Sequence, residues 1–191
     1  MKKLFISLLL LGAPLVAQSV EVGVFVGQQS YKNVNVLGID VKPDSNSVVG
    51  LRVGYSVVDV GPALFQLTAG YQPESKSEIK HSGEASGFDF KQSYWSVGAM
   101  FNFKAVFAVG AGIEYRSEKL TADTESTTYG RPWARMNVGY AIPAPALKPF
   151  IGLEVAIPLT SSSFNASIDS PDNLKSIAPK MQVGLYAGLR F

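Results

Sequence analysis

Side-chain polarity alternates with a period of two along the chain from residue 20 to residue 191, and no stretch carries a convincing helical period. The last stretch shows the pattern best. Met181, Val183, Leu185, Ala187, Leu189 and Phe191 form one row, and Lys180, Gln182, Gly184, Tyr186, Gly188 and Arg190 the other. Successive side chains of a strand point to opposite faces, so each such stretch is a strand with one apolar and one mixed face. Eight segments read this way: 20–30, 47–58, 62–72, 88–103, 105–117, 127–142, 148–159 and 178–191.

The fold class follows from which row faces out. The interior of a closed eight-stranded barrel is only wide enough for side chains to fill. Eight rows of residues such as Phe65, Leu67, Ala69 and Tyr71 do not fit there, whereas rows of glycine, threonine, glutamine and a few charges do. The apolar rows therefore face outward, and an outward apolar band on a closed sheet needs lipid to cover it. A soluble two-sheet sandwich would instead present many strand glycines to water, where they pack nothing and weaken the strands. The sequence thus predicts an all-β, eight-stranded, antiparallel up-and-down transmembrane β-barrel.

Loop lengths agree with this. Asp59–Gly61, Lys104 and Pro143–Leu147 make short connections, while 31–46, 73–87, 118–126 and 160–177 are long and polar. Short turns on one rim and long loops on the other, with the termini on the periplasmic side, is the outer-membrane arrangement. Aromatics sort to the strand ends as well. Phe65 and Tyr71, Phe107 and Tyr115, and Phe103 and Trp95 are outward pairs six to eight residues apart. Eight residues of a tilted strand climb roughly 20 Å, close to the apolar band of about 25 Å. Tyr55, Tyr140 and Phe191 fall on the same rim as Phe65, so these positions form two expected interfacial girdles.

Residues 1–19 read as a secretory signal, with Lys2 and Lys3 before the apolar run Leu4–Leu11 and a small-residue exit, cleaved after Ala17 or Ser19. The apolar run is short of the roughly 20 residues that a spanning helix needs. Residues 20–191 are then the barrel domain. Removing Lys2 and Lys3 leaves 15 basic against 15 acidic residues, so the positive balance says nothing for nucleic-acid binding. Cysteine is absent, which excludes disulfides and thiolate chemistry, and His81 is the only histidine.

With its alternating last strand Val183-Gly-Leu-Tyr-Ala-Gly-Leu-Arg-Phe191, the chain resembles the small outer-membrane barrels of the OmpA transmembrane-domain and OmpX type. The resemblance covers residues 20–191 and is one of architecture. It implies that Phe191 is the terminal aromatic read by the barrel-assembly machinery. Integral location in a bacterial outer membrane, loops outside and termini in the periplasm, goes with it. It also implies contact with membrane lipid and lipopolysaccharide, and a monomer. Unlike OmpA, no peptidoglycan-binding domain is expected after Phe191.

The inward rows carry Glu21, Arg52, Glu114, Arg116, Arg135, Glu154 and Arg190, together with Gln66, Gln92, Tyr94, Asn137, Gln182 and Tyr186. The first and last strands must be neighbours in a closed barrel, which sets Glu21 beside Arg190. Depth counting sets Glu114, Arg135 and Glu154 together. Charges withdrawn from water need partners, so a polar plug is the first reading of the interior. Transport of a small solute or hydrophobic compound through a narrow channel is the alternative, but inward Phe25, Leu64, Phe90, Met100 and Trp133 are scattered among the charges.

An enzyme is not expected. His81 stands beside Ser82, Glu84 and Asp89 in a polar loop, without the ordered base and third group that nucleophilic catalysis requires. No catalytic, metal or cofactor-binding motif is found, and Gly110-Ala-Gly112 is barrel packing, not a phosphate cradle. Pro132, in the odd run Arg131-Pro-Trp133, is expected at a bulge. The Asn165-Ala-Ser167 sequon carries no weight, and the long loops are where surface interaction is expected. A plug predicts that neutralising Arg135 or Glu154 lowers the thermal stability of the detergent-folded protein. A narrow water path predicts instead a rise in single-channel conductance at unchanged stability.

Overall fold

The structure is a computed structural model that describes residues 19–36, 39–122, 125–142, 147–160 and 171–191. The expected signal up to residue 18 and the Asn165-Ala-Ser167 sequon lie outside them. Ten strands form: β1 Val20–Tyr31, β2 Val34–Val36, β3 Ile39–Pro43, β4 Asn46–Val60, β5 Ala63–His81, β6 Glu84–Lys104, β7 Ala108–Ala122, β8 Glu125–Ala141, β9 Lys148–Pro158 and β10 Pro179–Arg190.

Eight of them make the barrel. The sheet runs β5-β4-β1-β10-β9-β8-β7-β6, and β5 pairs with β6 to close the circle. β1 joins β10 in a register that sets Glu21 against Arg190 and Gly23 against Gly188. Val20 and Phe191 exchange backbone hydrogen bonds of 2.8 and 3.0 Å just beyond it. Each barrel strand alternates between buried and exposed side chains. On β1, Glu21 and Phe25 are buried while Val22, Val24 and Val26 are exposed; on β10, Gln182 and Tyr186 are buried while Leu185 and Leu189 are exposed. The apolar belt this leaves around the barrel, continued by Leu51, Leu67, Val97, Ile113, Val138 and Leu153, far exceeds the few hundred Å² of apolar patch that soluble monomers tolerate. The interior is narrow enough that its glycines make room for neighbours: a Cβ on Gly23 would lie 2.5 Å from the Tyr186 ring.

Three expected loops turn out to be strand. β5 and β6 stay paired to His81 and Glu84, so segment 73–87 is a hairpin closed by Ser82 and Gly83. Their φ values of +47° and +91° are those of a type I′ turn, whose twist matches the strands it joins. The hydrophobic alternation ends near Gln72, yet the ladder continues, because backbone pairing needs no apolar face. Two register shifts, between Gln72 and Ser75 and between Glu78 and Lys80, mask the continuation, the second beside Gly87 at φ +76°. The described residues of segment 118–126 likewise belong to β7 and β8, which pair out to Ala122 and Glu125. The first loop does not prolong β1 and β4. β2 and β3 form their own hairpin, and β3 lies on β5 through Val41 and His81.

At the other rim the connection is longer than expected, since Ala105–Phe107 form the turn and β7 starts at Ala108. Ahead of β10, the described part of the fourth long connection is a 3-10 helix, Pro171–Ile177. Among the described residues no helix is long and apolar enough to cross a membrane.

Pro132 sits in unbroken register opposite Tyr115, not in a bulge. Its carbonyl accepts from Leu159 N at 2.9 Å, so its nitrogen also faces β9, one residue past the last pair of that ladder, Trp133 with Pro158. The missing N–H therefore falls where the ladder has ended, which is where proline is tolerated. Replacing Gly83 by valine at its positive φ is expected to lose the amide exchange protection of the β5–β6 tip while leaving that of residues 63–71 unchanged, measured by hydrogen exchange on the detergent-folded protein.

Candidate functional site

The inward rows of all eight barrel strands meet in one stack of hydrogen-bonded charges, and this interior is the candidate site. At the short-turn end Glu21 accepts from Arg190 Nη2 and Nε at 2.6 and 3.1 Å. Its other oxygen accepts from Tyr186 Oη at 2.7 Å. Gln66 Nε2 donates to Glu21 at 3.3 Å, and Gln66 Oε1 accepts from Asn102 Nδ2 at 3.1 Å.

Above this lies a network of three arginines and two glutamates. Arg52 on β4 donates twice to Glu154 on β9, at 2.5 and 2.8 Å, spanning the lumen across two intervening strands. Arg135 donates to Glu114 at 2.8 Å and lies 3.5 Å from Glu154. Arg116 donates to Glu114 and to Gln182, both at 2.6 Å. Its guanidinium is held between the rings of Tyr94 and Trp133, 4.2 and 4.0 Å from their centroids. The planar guanidinium suits this role, since it forks onto carboxylates and stacks on aromatic faces. All five charged side chains are buried.

Higher still, Glu118 takes Arg131 Nε and Nη2 at 2.9 and 3.0 Å, Trp133 Nε1 at 2.7 Å and Tyr129 Oη at 3.4 Å. Arg131 also donates to the Pro179 carbonyl at 2.6 Å, tying β8 to the start of β10. Over this layer Tyr31, Ile79, Phe90, Leu120, Ile177 and Ala178 close the lumen with an apolar cap. Tyr31 and Phe90 meet edge to face at 5.3 Å.

The structure thus brings Glu21 to Arg190, and Arg52, Glu114, Arg116, Arg135 and Glu154 into one cluster. Gln92 and Tyr94 lie in the same interior, and Asn137 on its wall is half-buried. Sequence reasoning missed Glu118 and left Arg131 without a role. Glu118 lies one residue past the assigned end of its strand, although the parity of Glu114 and Arg116 leads directly to Glu118 and Leu120, and Arg131, inside its assigned strand, was left without the carboxylate it meets.

On the outer surface the aromatic residues all stand exposed. Tyr71 pairs with Trp95, and Tyr115 is diagonal to it, making one row on β5–β7. Phe65, Phe103, Phe107, Tyr140, Tyr55 and Phe191 lie toward the short-turn rim, with Phe107 and Tyr140 in ring contact at 6.1 Å. His81 and Glu84 face each other across the type I′ turn, Asp89 lies opposite Glu78, and all three are exposed with Ser82. Asp44 beside Lys80, 2.7 Å away, holds that ammonium above the usual lysine range. Among the described residues no group of three or more histidine, cysteine or acidic residues is placed to hold a metal ion.

Glu118 is the clearest test of the stack. Replacing it by leucine strands the buried Arg131 charge and the Trp133 N–H, and breaking a buried pair in this way costs about 3–5 kcal/mol. Urea unfolding in micelles should show that loss, and adding Arg131→Leu should recover most of it.

No family model matches the chain, and no curated protein does. Among solved structures it is similar to a major outer membrane protein of Thermus thermophilus, at 14% identity and TM-score 0.55, over 90% of this chain and 98% of that one. It is also similar to neisserial surface protein A, at 12% identity and TM-score 0.50, over 91% and 94% of the two chains. At such identities the likeness is one of fold, and the fold is the eight-stranded antiparallel barrel of the small outer-membrane proteins.

Proposed function

We propose that this protein is an integral outer-membrane barrel that acts through its external hairpins and not through its lumen. One observation carries the reading: the upper interior is filled while the strands continue far beyond the apolar belt. Arg116, Trp133, Glu118 and Leu120, stacked along the axis, are each 0% exposed. Past the upper aromatic row, β6 runs another eleven residues from Trp95 to Glu84, which at the usual rise and tilt lifts the β5–β6 tip about 28 Å.

The belt is covered by lipid in this reading, with the two aromatic rows at its interfaces and lipopolysaccharide around the outer one. The short-turn rim and the termini face the periplasm, and the Phe191 end is what the assembly machinery reads. The barrel is a monomer and not an enzyme. The projecting hairpins, braced against one another through β3 and β5, form a stiff polar platform for surface contact. Such presentation on a rigid scaffold is how loops usually carry binding. Transport of small solutes or hydrophobic compounds is the weaker reading, since the charged stack and the apolar cap stand in the way.

The absence of cysteine makes the orientation simple to test. A Ser82→Cys variant should react with an impermeant maleimide on intact cells, and an Ala105→Cys variant only after the outer membrane is opened. The reverse pattern, or failure to fractionate with outer membranes, would overturn the proposal. Planar bilayers should stay silent with the folded protein; a steady conductance would favour transport.

A further inference from the structure

Below the charged stack the lumen holds a space. At the short-turn end is a cavity of about 120 Å³ that reaches the turn residues Lys104 and Ala105. That is near the 150 Å³ at which an apolar cavity admits benzene. Two facing glycines on β8 and β9, Gly139 and Gly152, help to make it. A Cβ on Gly139 would lie 2.8 Å from the Ile151 carbonyl oxygen, and one on Gly152 2.7 Å from that of Val138, so neither position can carry a side chain that fills the space.

The walls are of two kinds. Leu64, Met100 and Phe150 give an apolar side, and Arg135, Arg190 and Asn137 a polar one. Glu21 also lines the cavity, but Arg190, Tyr186 and Gln66 already occupy its oxygens. The balance of charge just above is uneven. Among the described residues Arg52, Arg116 and Arg135 pair with Glu114 and Glu154, three positive charges to two negative; Arg52 Nε and Arg116 Nη2 are buried without a hydrogen bond, and Arg135 Nε faces Glu154 Oε2 at 3.5 Å, too far for one. An arginine cannot shed its proton to relieve this. At this depth of burial an uncompensated positive charge is costly. Of the three, Arg135 lines the cavity, and it is 3% exposed.

We propose that this cavity binds a small monocarboxylate with a compact apolar body, its carboxylate directed to Arg135 and its body against Leu64, Met100 and Phe150. Such an anion supplies the third negative charge that the arginine network lacks. A phosphate or sulfate would set charged oxygens against the apolar wall, and a neutral molecule would leave the network unbalanced. The site is independent of what the external hairpins contact, because it opens on the opposite rim.

Methionine methyl groups report on it directly. Met100 is in the wall, while Met136 and Met181 are exposed on the outer surface. With ¹³C-methyl-methionine protein folded in micelles, sodium benzoate should shift the Met100 signal saturably and leave Met136 and Met181 in place. Benzamide, of the same shape without the charge, should bind about tenfold more weakly, the factor expected when a charge-assisted hydrogen bond becomes a neutral one. Asn137→Phe fills the cavity and should abolish the response in protein that still migrates as a folded barrel on an unheated gel. Leu64→Trp serves the same purpose if that variant does not fold. The proposal is overturned by a Met100 signal that does not move, by benzamide binding as well as benzoate, or by a response that survives in the filled variant. Since the readout needs only the folded barrel, it stands apart from the test of location and orientation.

Discussion

Closing eight strands on themselves imposes the constraint from which the other features follow. A circle of eight leaves a lumen just wide enough for side chains to fill, so every inward position is crowded and nearly dry. Large inward groups need glycine beside them, as Tyr186 needs Gly23. Inward charges need opposite charges within reach. The same closure removes the open edges that a flat sheet of these strands would expose. It also turns the apolar rows outward, where each is useful only against lipid.

Within that lumen, ion pairs and hydrogen bonds tie the strands together, in places across strands that are not neighbours in the sheet. The Arg52–Glu154 pair joins β4 to β9 across the barrel. Arg131 and Glu118 bind β7, β8 and the start of β10. Buried pairs of this kind add little net stability over apolar packing of the same shape, but they penalise any arrangement that separates the partners. They hold the cross-section in one shape, and on that base β5 to β8 can rise past the belt as paired strands. The lumen is thus closed at its upper end by an apolar cap and left partly open at the lower, where the glycine pair keeps side chains out.

The barrel was largely legible in the chain because a strand's two faces meet different surroundings. Parity along each segment sorted Val22, Leu51, Leu185 and their row mates from Glu21, Arg52 and Tyr186, and burial in the structure follows the same division. Closure of the barrel, which makes the first and last strands neighbours, put Glu21 beside Arg190. Legibility failed where the two faces become alike. Above Gln72, β5 meets polar surroundings on its outer side and the cap only at intervals, so a strand of 19 residues read as eleven followed by a loop. Glu118 was lost for the same reason, and with it the role of Arg131.

The amino-acid pattern by itself determined the number of barrel strands, the inward and outward rows and the sorting of turns to one rim, because each depends only on the period of two and on local turn chemistry. The tertiary structure alone decided which carboxylate meets which guanidinium across the lumen, how far the hairpins extend, that β3 lies on β5, and where the cavity is left. Those depend on the stagger of strands around a closed circle. Stagger is a property of the whole ring, which no single segment records.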